Sequence, residues 1–357
     1  MLLALVLLAG LQSPETHVDR LFDRYLKSPG AAVAVVLDGK PVLLKGYGLA
    51  DVATSRPIDP DTTFDLASVS KQFTAASVLI LAQRGRLSLD DPLTKFFPTF
   101  PAWGKKVTVR HLLNHTSGLP DYMEMFVKSG KLKFSAPRPS STPPDVYEPQ
   151  GKDVVTLLAT ADGPEFEPGA KFEYSNSGYA VLAQIAEKAS GQRLAEFMRA
   201  NIFRPLGMSS TLLMDERKRK PKDRAKSYLF PAASKDADYT PLNLVYGDGN
   251  VNSSARDMAA WAVALQNGKW MSEPWRTMAW TPGKLQDGSL GEYGFGWVLG
   301  RAGDEPFVDH SGGWVGFRSY IMHVPKRKLT VVVLSNLGTM KAVEQGRKVA
   351  EIYLAAK

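Results

Sequence analysis

Apolar residues gather in short β-branched blocks near both ends of the chain and recur at helical spacing between them. Ala31 to Leu37 and Pro41 to Tyr47 flank Asp38-Gly39, a hairpin signal, because glycine accepts the positive φ that a two-residue turn needs. Ser319 to Val324 and Lys328 to Ser335 repeat the pattern around Pro325 to Arg327, and Lys341 to Ala356 reads as a closing helix. An amphipathic helix is expected from Pro14 to Ser28. Helices are also expected over Val69 to Arg84, Thr108 to Asn114, Asp153 to Ala161, Ser177 to Ala189, Leu194 to Phe203 and Ser254 to Asn267. Strands at both ends around a helical middle predict an α/β (α+β) fold. Its antiparallel sheet is formed by both chain ends, flanked by helices, with an all-helical lobe inserted. A ligand is expected in the cleft between the lobes.

Leu2 to Ala9 is an apolar run of signal-peptide length, too short for the roughly 20 residues of a membrane span. Residues 1–12 are therefore expected to be an export signal, although no basic residue precedes Arg20. Residues 13–357 are expected to form a single two-lobed domain, periplasmic or secreted, without a transmembrane span. Met125 to Gln150 carries five prolines and reads as a long lid or binding loop.

The 357 residues carry a formal charge of +8. Arg217 to Lys226 holds seven Lys or Arg against one Asp, so most of that charge sits in one segment. It is expected to be a solvated loop offering electrostatic contact to an anionic cell envelope. No aromatic-interleaved basic motif accompanies it, which argues against a nucleic-acid partner. The chain has no cysteine, which excludes disulfides, thiolate metal sites and a cysteine nucleophile. His111 and His115 lie four apart with no carboxylate between them, so no metal or other cofactor is expected.

The chain has no Gly-x-Ser-x-Gly, His-Glu-x-x-His or Walker motif. It does have Ser68-Val69-Ser70-Lys71 opening a strongly apolar helix. Ser68 and Lys71 then lie one turn apart on one face, where an amine can take the proton of a hydroxyl nucleophile. Tyr174-Ser175-Asn176 precedes another helix, and its alternation aims Tyr174 and Asn176 to one side. His310-Ser311-Gly312-Gly313 precedes the last strand pair; its glycines would let the backbone come close to a substrate.

Taken in order, Ser68-x-x-Lys71, Tyr174-x-Asn176 and His310-x-Gly312 resemble the three motifs of the serine penicillin-recognising enzymes. These include class C β-lactamases, serine DD-peptidases and related esterases and D-aminopeptidases. Three further stretches resemble that family: His111 to Pro120, Phe166 to Gly169 and Tyr293 to Trp297. The resemblance implies the family's fold, with Ser68 as the acylated nucleophile and Lys71 and Tyr174 as shared general base and acid. It makes Asn176, His310, Ser311, Gly312 and Gly313 substrate-binding positions and gives the oxyanion hole to the N–H groups of Ser68 and Gly313. The implied activity is acyl-enzyme hydrolysis of an ester, amide or D-amino-acid peptide. β-Lactamase action and a non-catalytic sensor or scaffold stand as alternatives. Histidine at 310, where a lysine is usual in β-lactamases, weakens the lactamase reading, because a neutral imidazole offers less charge to a lactam carboxylate.

Overall fold

The computed structural model describes residues 13–132, 137–139, 147–217, 220–233 and 235–356. The strands are β1 Ala31–Leu37, β2 Lys40–Tyr47, β3 Leu49–Asp51, β4 Arg56–Pro57, β5 Thr63–Asp65, β6 Leu212–Leu213, β7 Val251–Ser254, β8 Val298–Ala302, β9 Glu305–Trp314, β10 Phe317–Val324 and β11 Leu329–Ser335. The helices are α1 Pro14–Phe22, α2 Lys71–Gln83, α3 Leu93–Phe96, α4 Val109–Leu113, α5 Tyr122–Lys128, α6 Gly151–Leu158, α7 Asn176–Ser190, α8 Leu194–Met198, α9 Ala255–Asn267, α10 Glu273–Ala279 and α11 Ala342–Ala355. The main sheet is antiparallel, in the order β2-β1-β11-β10-β9-β8. The two chain ends meet at its centre, with Val33 opposite Val333.

Side chains alternate across a strand, and β1 serves two cores in this way. Ala32, Ala34 and Val36 face a core shared with α2, α7 and α9. Ala31, Val33 and Val35 face a second core closed by α1 and α11. Burial on both faces explains why this strand reads as an unbroken apolar run. Helix α2 is buried from Lys71 to Leu81, as expected of a helix that is apolar all round. Phe73 on it packs against Trp261, with ring centroids 4.9 Å apart.

The expected sheet and long helices form within a few residues of their sequence boundaries. Three differences matter for the site. The 310–313 stretch, read in sequence only as preceding the last strand pair, lies inside the ten-residue strand β9. Its Pro, Asp and Gly residues are poor strand formers, and the pairing of Gly313 with Arg318 and His310 with Ile321 on β10 overrides them. The Pro-rich stretch starts as helix α5, which is capped by Asp121 accepting from the N–H groups of Met123 and Glu124. Within that stretch, residues 133–136 and 140–146 lie outside the described residues, as does the proposed export signal at 1–12.

The basic segment is the third difference. It was expected to be solvated throughout, but Arg224 is nine-tenths buried and pairs with Asp238, with Asp65 3.8 Å away. Arg217 forms a two-pronged pair with Glu148 at 2.6 and 2.8 Å. Much of the segment's formal charge is therefore met by carboxylates of the same chain. Among the described residues no helix is long and apolar enough to cross a membrane.

Candidate active site

Strand β5 ends at Asp65, and the chain turns through Leu66 into a 3₁₀ turn, Ala67–Ser70, that continues as α2. Ala67 adopts φ +47°, a left-handed conformation that costs an L residue roughly 1–2 kcal/mol. Two hydrogen bonds hold the turn. The Ala67 N–H donates to Asp65 Oδ1 at 2.7 Å, and the Ser319 hydroxyl donates to the Leu66 carbonyl at 2.6 Å. Ser68 is thereby presented at the head of α2, lining a cavity of about 160 Å³.

Lys71 lies one turn further on, fully buried. Its Nζ donates to Ser68 Oγ at 3.0 Å, to Asn176 Oδ1 at 2.9 Å and to the Asp248 carbonyl at 2.8 Å. These three acceptors use every donor an ammonium has. The two sequence motifs 105 residues apart thus converge on one nitrogen. Tyr174 is exposed beside them, with its ring 5.0 Å from Lys71 Nζ.

Strand β9 closes the third side, and its alternation puts His310 and Gly312 on one face and Ser311 and Gly313 on the other. Gly312 faces inward. A Cβ at this position would lie 2.3 Å from the Leu66 carbonyl oxygen and 3.1 Å from the Ala67 Cβ, so only glycine lets the strand pass this close to the serine turn. Gly313 lines the same cavity as Ser68. Ser311 faces opposite to Gly312 and, together with Gly312 and Gly313, borders a neighbouring depression that Met340 and Lys341 also line. Gly312→Ala is expected to lower the rate of Ser68 acylation by about 100-fold through misplacement of the turn. Ser311→Ala should leave the rate within about twofold; stopped-flow labelling compares the two.

His310 lies behind the site, buried with both nitrogens engaged and its ring 6.2 Å from that of Tyr174. Nδ1 lies 2.6 Å from the Ser311 carbonyl, which only accepts, so Nδ1 carries the proton. Nε2, 2.8 Å from the Tyr293 hydroxyl, therefore accepts. Burial first, and the Lys71 charge second, push the imidazole down to about 3. The unfolded chain protonates near 6.5, so the stability given by a neutral His310 is complete above that pH and is lost as pH falls toward about 3. The ¹H–¹³C NMR signals of His310 are expected to stay unshifted from pH 8 to 5. A midpoint near 6.5 would contradict this burial.

His115 was weighed in sequence only as a metal ligand or as part of a similar stretch, yet it underlies the site. It adopts φ +58° and is held well below its usual pKa, by burial first and then by the Lys71 charge. Its Nδ1 accepts from the Ser175 N–H at 3.1 Å, and its ring lies 4.3 Å from that of Tyr174. It thereby fixes the turn that carries Tyr174 and Asn176. The Tyr293 to Trp297 stretch acts similarly. Gly296, at φ +81°, brings its backbone against the first turn of α2, where a Cβ would lie 2.9 Å from the Lys71 carbonyl oxygen. Among the described residues no group of three or more His, Asp or Glu is arranged to hold a metal ion.

A serine hydroxyl held by a buried amine, at the head of a central helix and beside a glycine-bearing strand, defines the active-serine class of hydrolase. Residues 18–354 match the family model described as Beta-lactamase, and the chain belongs to that family of serine hydrolases. Penicillin-binding protein 4* of Bacillus subtilis (strain 168) is 32% identical over 91% of this chain and 72% of its own length. A D-aminopeptidase of Brucella anthropi is 31% identical over 90% of this chain. The chain spans only 58% of that relative. Among solved structures, the octameric penicillin-binding protein homologue from Pyrococcus abyssi superposes with a TM-score of 0.78 at 28% identity, covering 96% of this chain and 77% of the other.

Proposed function

We propose that the protein hydrolyses an ester, amide or D-amino-acid peptide through an acyl-enzyme on Ser68. The observation that carries this reading is the 3.0 Å contact from Lys71 Nζ to Ser68 Oγ, inside a set that also fixes Asn176. With one member of the Lys71–Tyr174 pair deprotonated beforehand, Ser68 Oγ attacks the substrate carbonyl carbon as its own proton passes to that pair. The N–H groups of Ser68 and Gly313 receive the developing oxyanion. Collapse of the tetrahedral species breaks the bond to the leaving amine or alcohol, which takes up the proton from the same pair. Water then attacks the acyl carbon and releases the acid and free Ser68. Asn176 orients the scissile amide.

The name of the D-aminopeptidase relative favours D-amino-acid substrates, and the buried, neutral His310 weighs against a β-lactam carboxylate. Turnover of a p-nitrophenyl ester, a D-alanyl amide and nitrocefin tests the ranking. The first two are expected to be cleaved well above nitrocefin, whereas the reverse order would favour the β-lactamase alternative. Labelling of Ser68 without turnover of any of them would favour the sensor or scaffold. Export, and contact with an anionic envelope, belong to the same reading. The contact rests on the exposed Lys222, because Arg217, Arg224 and Lys226 are engaged by internal carboxylates.

A further inference from the structure

The cavity in front of Ser68 has two kinds of wall. Ser68 and Asn176 form its reacting, polar side, while Met123, Leu242, Val245 and Trp314 give it an apolar one. The two carboxylates that border it, Asp65 and Asp248, are turned to the protein. Asp65 accepts from the Ala67 N–H and faces Arg224, whereas Asp248 Oδ2 accepts from the Tyr122 hydroxyl and Oδ1 is buried. Trp314 is the largest side chain of the lining and is only partly buried. It stands at the end of β9, and the turn into β10 is built to hold it. Val315 adopts φ +49°, a left-handed conformation that is costly for a β-branched residue and persists only where the surroundings enforce it. Here the Arg318 guanidinium donates to the Val315 carbonyl at 3.0 Å and to the Phe317 carbonyl at 2.7 Å, and the Gly316 N–H donates to the Ser227 hydroxyl at 3.0 Å. The Trp314 indole Nε1 donates to Asn243 Oδ1 at 3.0 Å, on the segment that also supplies Leu242 and Val245. Trp314 thus spans from the strand to the facing segment and is pinned at both ends.

An apolar cavity of roughly 150 Å³ holds a benzene-sized group, and this one measures about 160 Å³. We propose that Trp314 is the specificity-determining residue of the acyl subsite. Its indole closes the cavity, so that the preferred acyl group carries an apolar chain of about four to six carbons and longer chains are refused. Burial of the chain against Met123, Leu242 and Val245 is worth about fourfold in rate per methylene up to that limit. Beyond it, each further methylene meets the pinned indole, and overpacking reverses the gain. The proposal rests on the acyl-enzyme reading of Ser68 and adds to it the length and polarity of the acyl chain, whether or not the carbon next to the carbonyl bears an amine.

The test measures kcat/KM of the full chain on p-nitrophenyl acetate, butyrate, hexanoate and octanoate. The wild-type profile is expected to peak at butyrate or hexanoate, with both acetate and octanoate about tenfold or more below the peak. Trp314→Ala should raise the octanoate-to-butyrate ratio by at least about tenfold. Asn243 Oδ1 still accepts from the Thr240 hydroxyl at 2.9 Å in that variant, so the substitution leaves no orphaned acceptor. The ratio is internal to each protein, and partial misfolding lowers both rates without moving it. Trp314→Leu, which keeps an apolar side chain at the strand end, should move the ratio part of the way and decides the matter if the alanine variant does not fold. A wild-type profile that is flat or still rising at octanoate, or a ratio unmoved by the substitutions, would overturn the proposal. Failure of a fluorophosphonate to label wild-type Ser68 would instead overturn the acyl-enzyme reading beneath it.

Discussion

Lys71→Met is expected to lower kcat/KM by roughly 10³-fold or more, with a folded protein left behind. Methionine matches the length and apolar stem of lysine, so helix α2, buried from position 71 to 81, keeps its packing. The change removes the donor to Ser68 Oγ, Asn176 Oδ1 and the Asp248 carbonyl together. Serine then lacks one half of the Lys71–Tyr174 pair that takes its proton, and general-base assistance alone is typically worth 10²–10⁴ in rate. Loss of the fixed position of Asn176 adds to that. Steady-state kinetics on a p-nitrophenyl ester, with circular dichroism to check the fold, measures the effect. A loss of less than tenfold would assign the base to another group.

Arg224→Met is expected to carry the largest stability cost, about 3–5 kcal/mol. Arg224 is closed in by Asp238, Asp65, Asn252 and the ring of Phe317. Removing the guanidinium leaves two carboxylates buried without their cation. Burial already pushes Asp65 up to about 6 against the pull of Arg224, and without Arg224 it would be held protonated to higher pH. Urea denaturation at pH 7 should show the midpoint fall, and adding Asp65→Asn should recover part of the loss by removing one stranded charge. No recovery in the double variant would mean that Arg224 acts through packing on Phe317 alone.

These residues also show how far the sequence could be read. Ser68, Lys71 and Asn176 were legible because a three-residue spacing on a helix and a Tyr-x-Asn before one are local patterns with local geometry. The sheet was legible because both faces of β1 and β11 are apolar, and such runs advertise themselves. Strand β9 was not, since His310-Ser311-Gly312-Gly313 looks like a loop until β10 pairs with it. With the strand unseen, neither the outward turn of Ser311 nor the burial of His310 could be inferred. Asp65, Tyr122 and Asp248 were missed for a different reason. Each is an ordinary residue in its own segment, and only long-range contacts, such as the one from Tyr122 to Asp248, make it part of the site. The stretch containing His115 was noticed for its similarity, but its contact with Tyr174 is between residues 59 apart in sequence and has no local signature. Arg224 sits in a charge run whose composition suggested solvent, and its burial depends on Asp238 folding back over it.

Intact-protein and peptide mass spectrometry after brief exposure to a fluorophosphonate tests the central claim most directly. One adduct per chain is expected, mapping to the peptide that contains Ser68 and absent from Ser68→Ala. An unmodified wild-type protein with a native circular dichroism spectrum, or an adduct on any other residue, would contradict the assignment of Ser68 as the nucleophile.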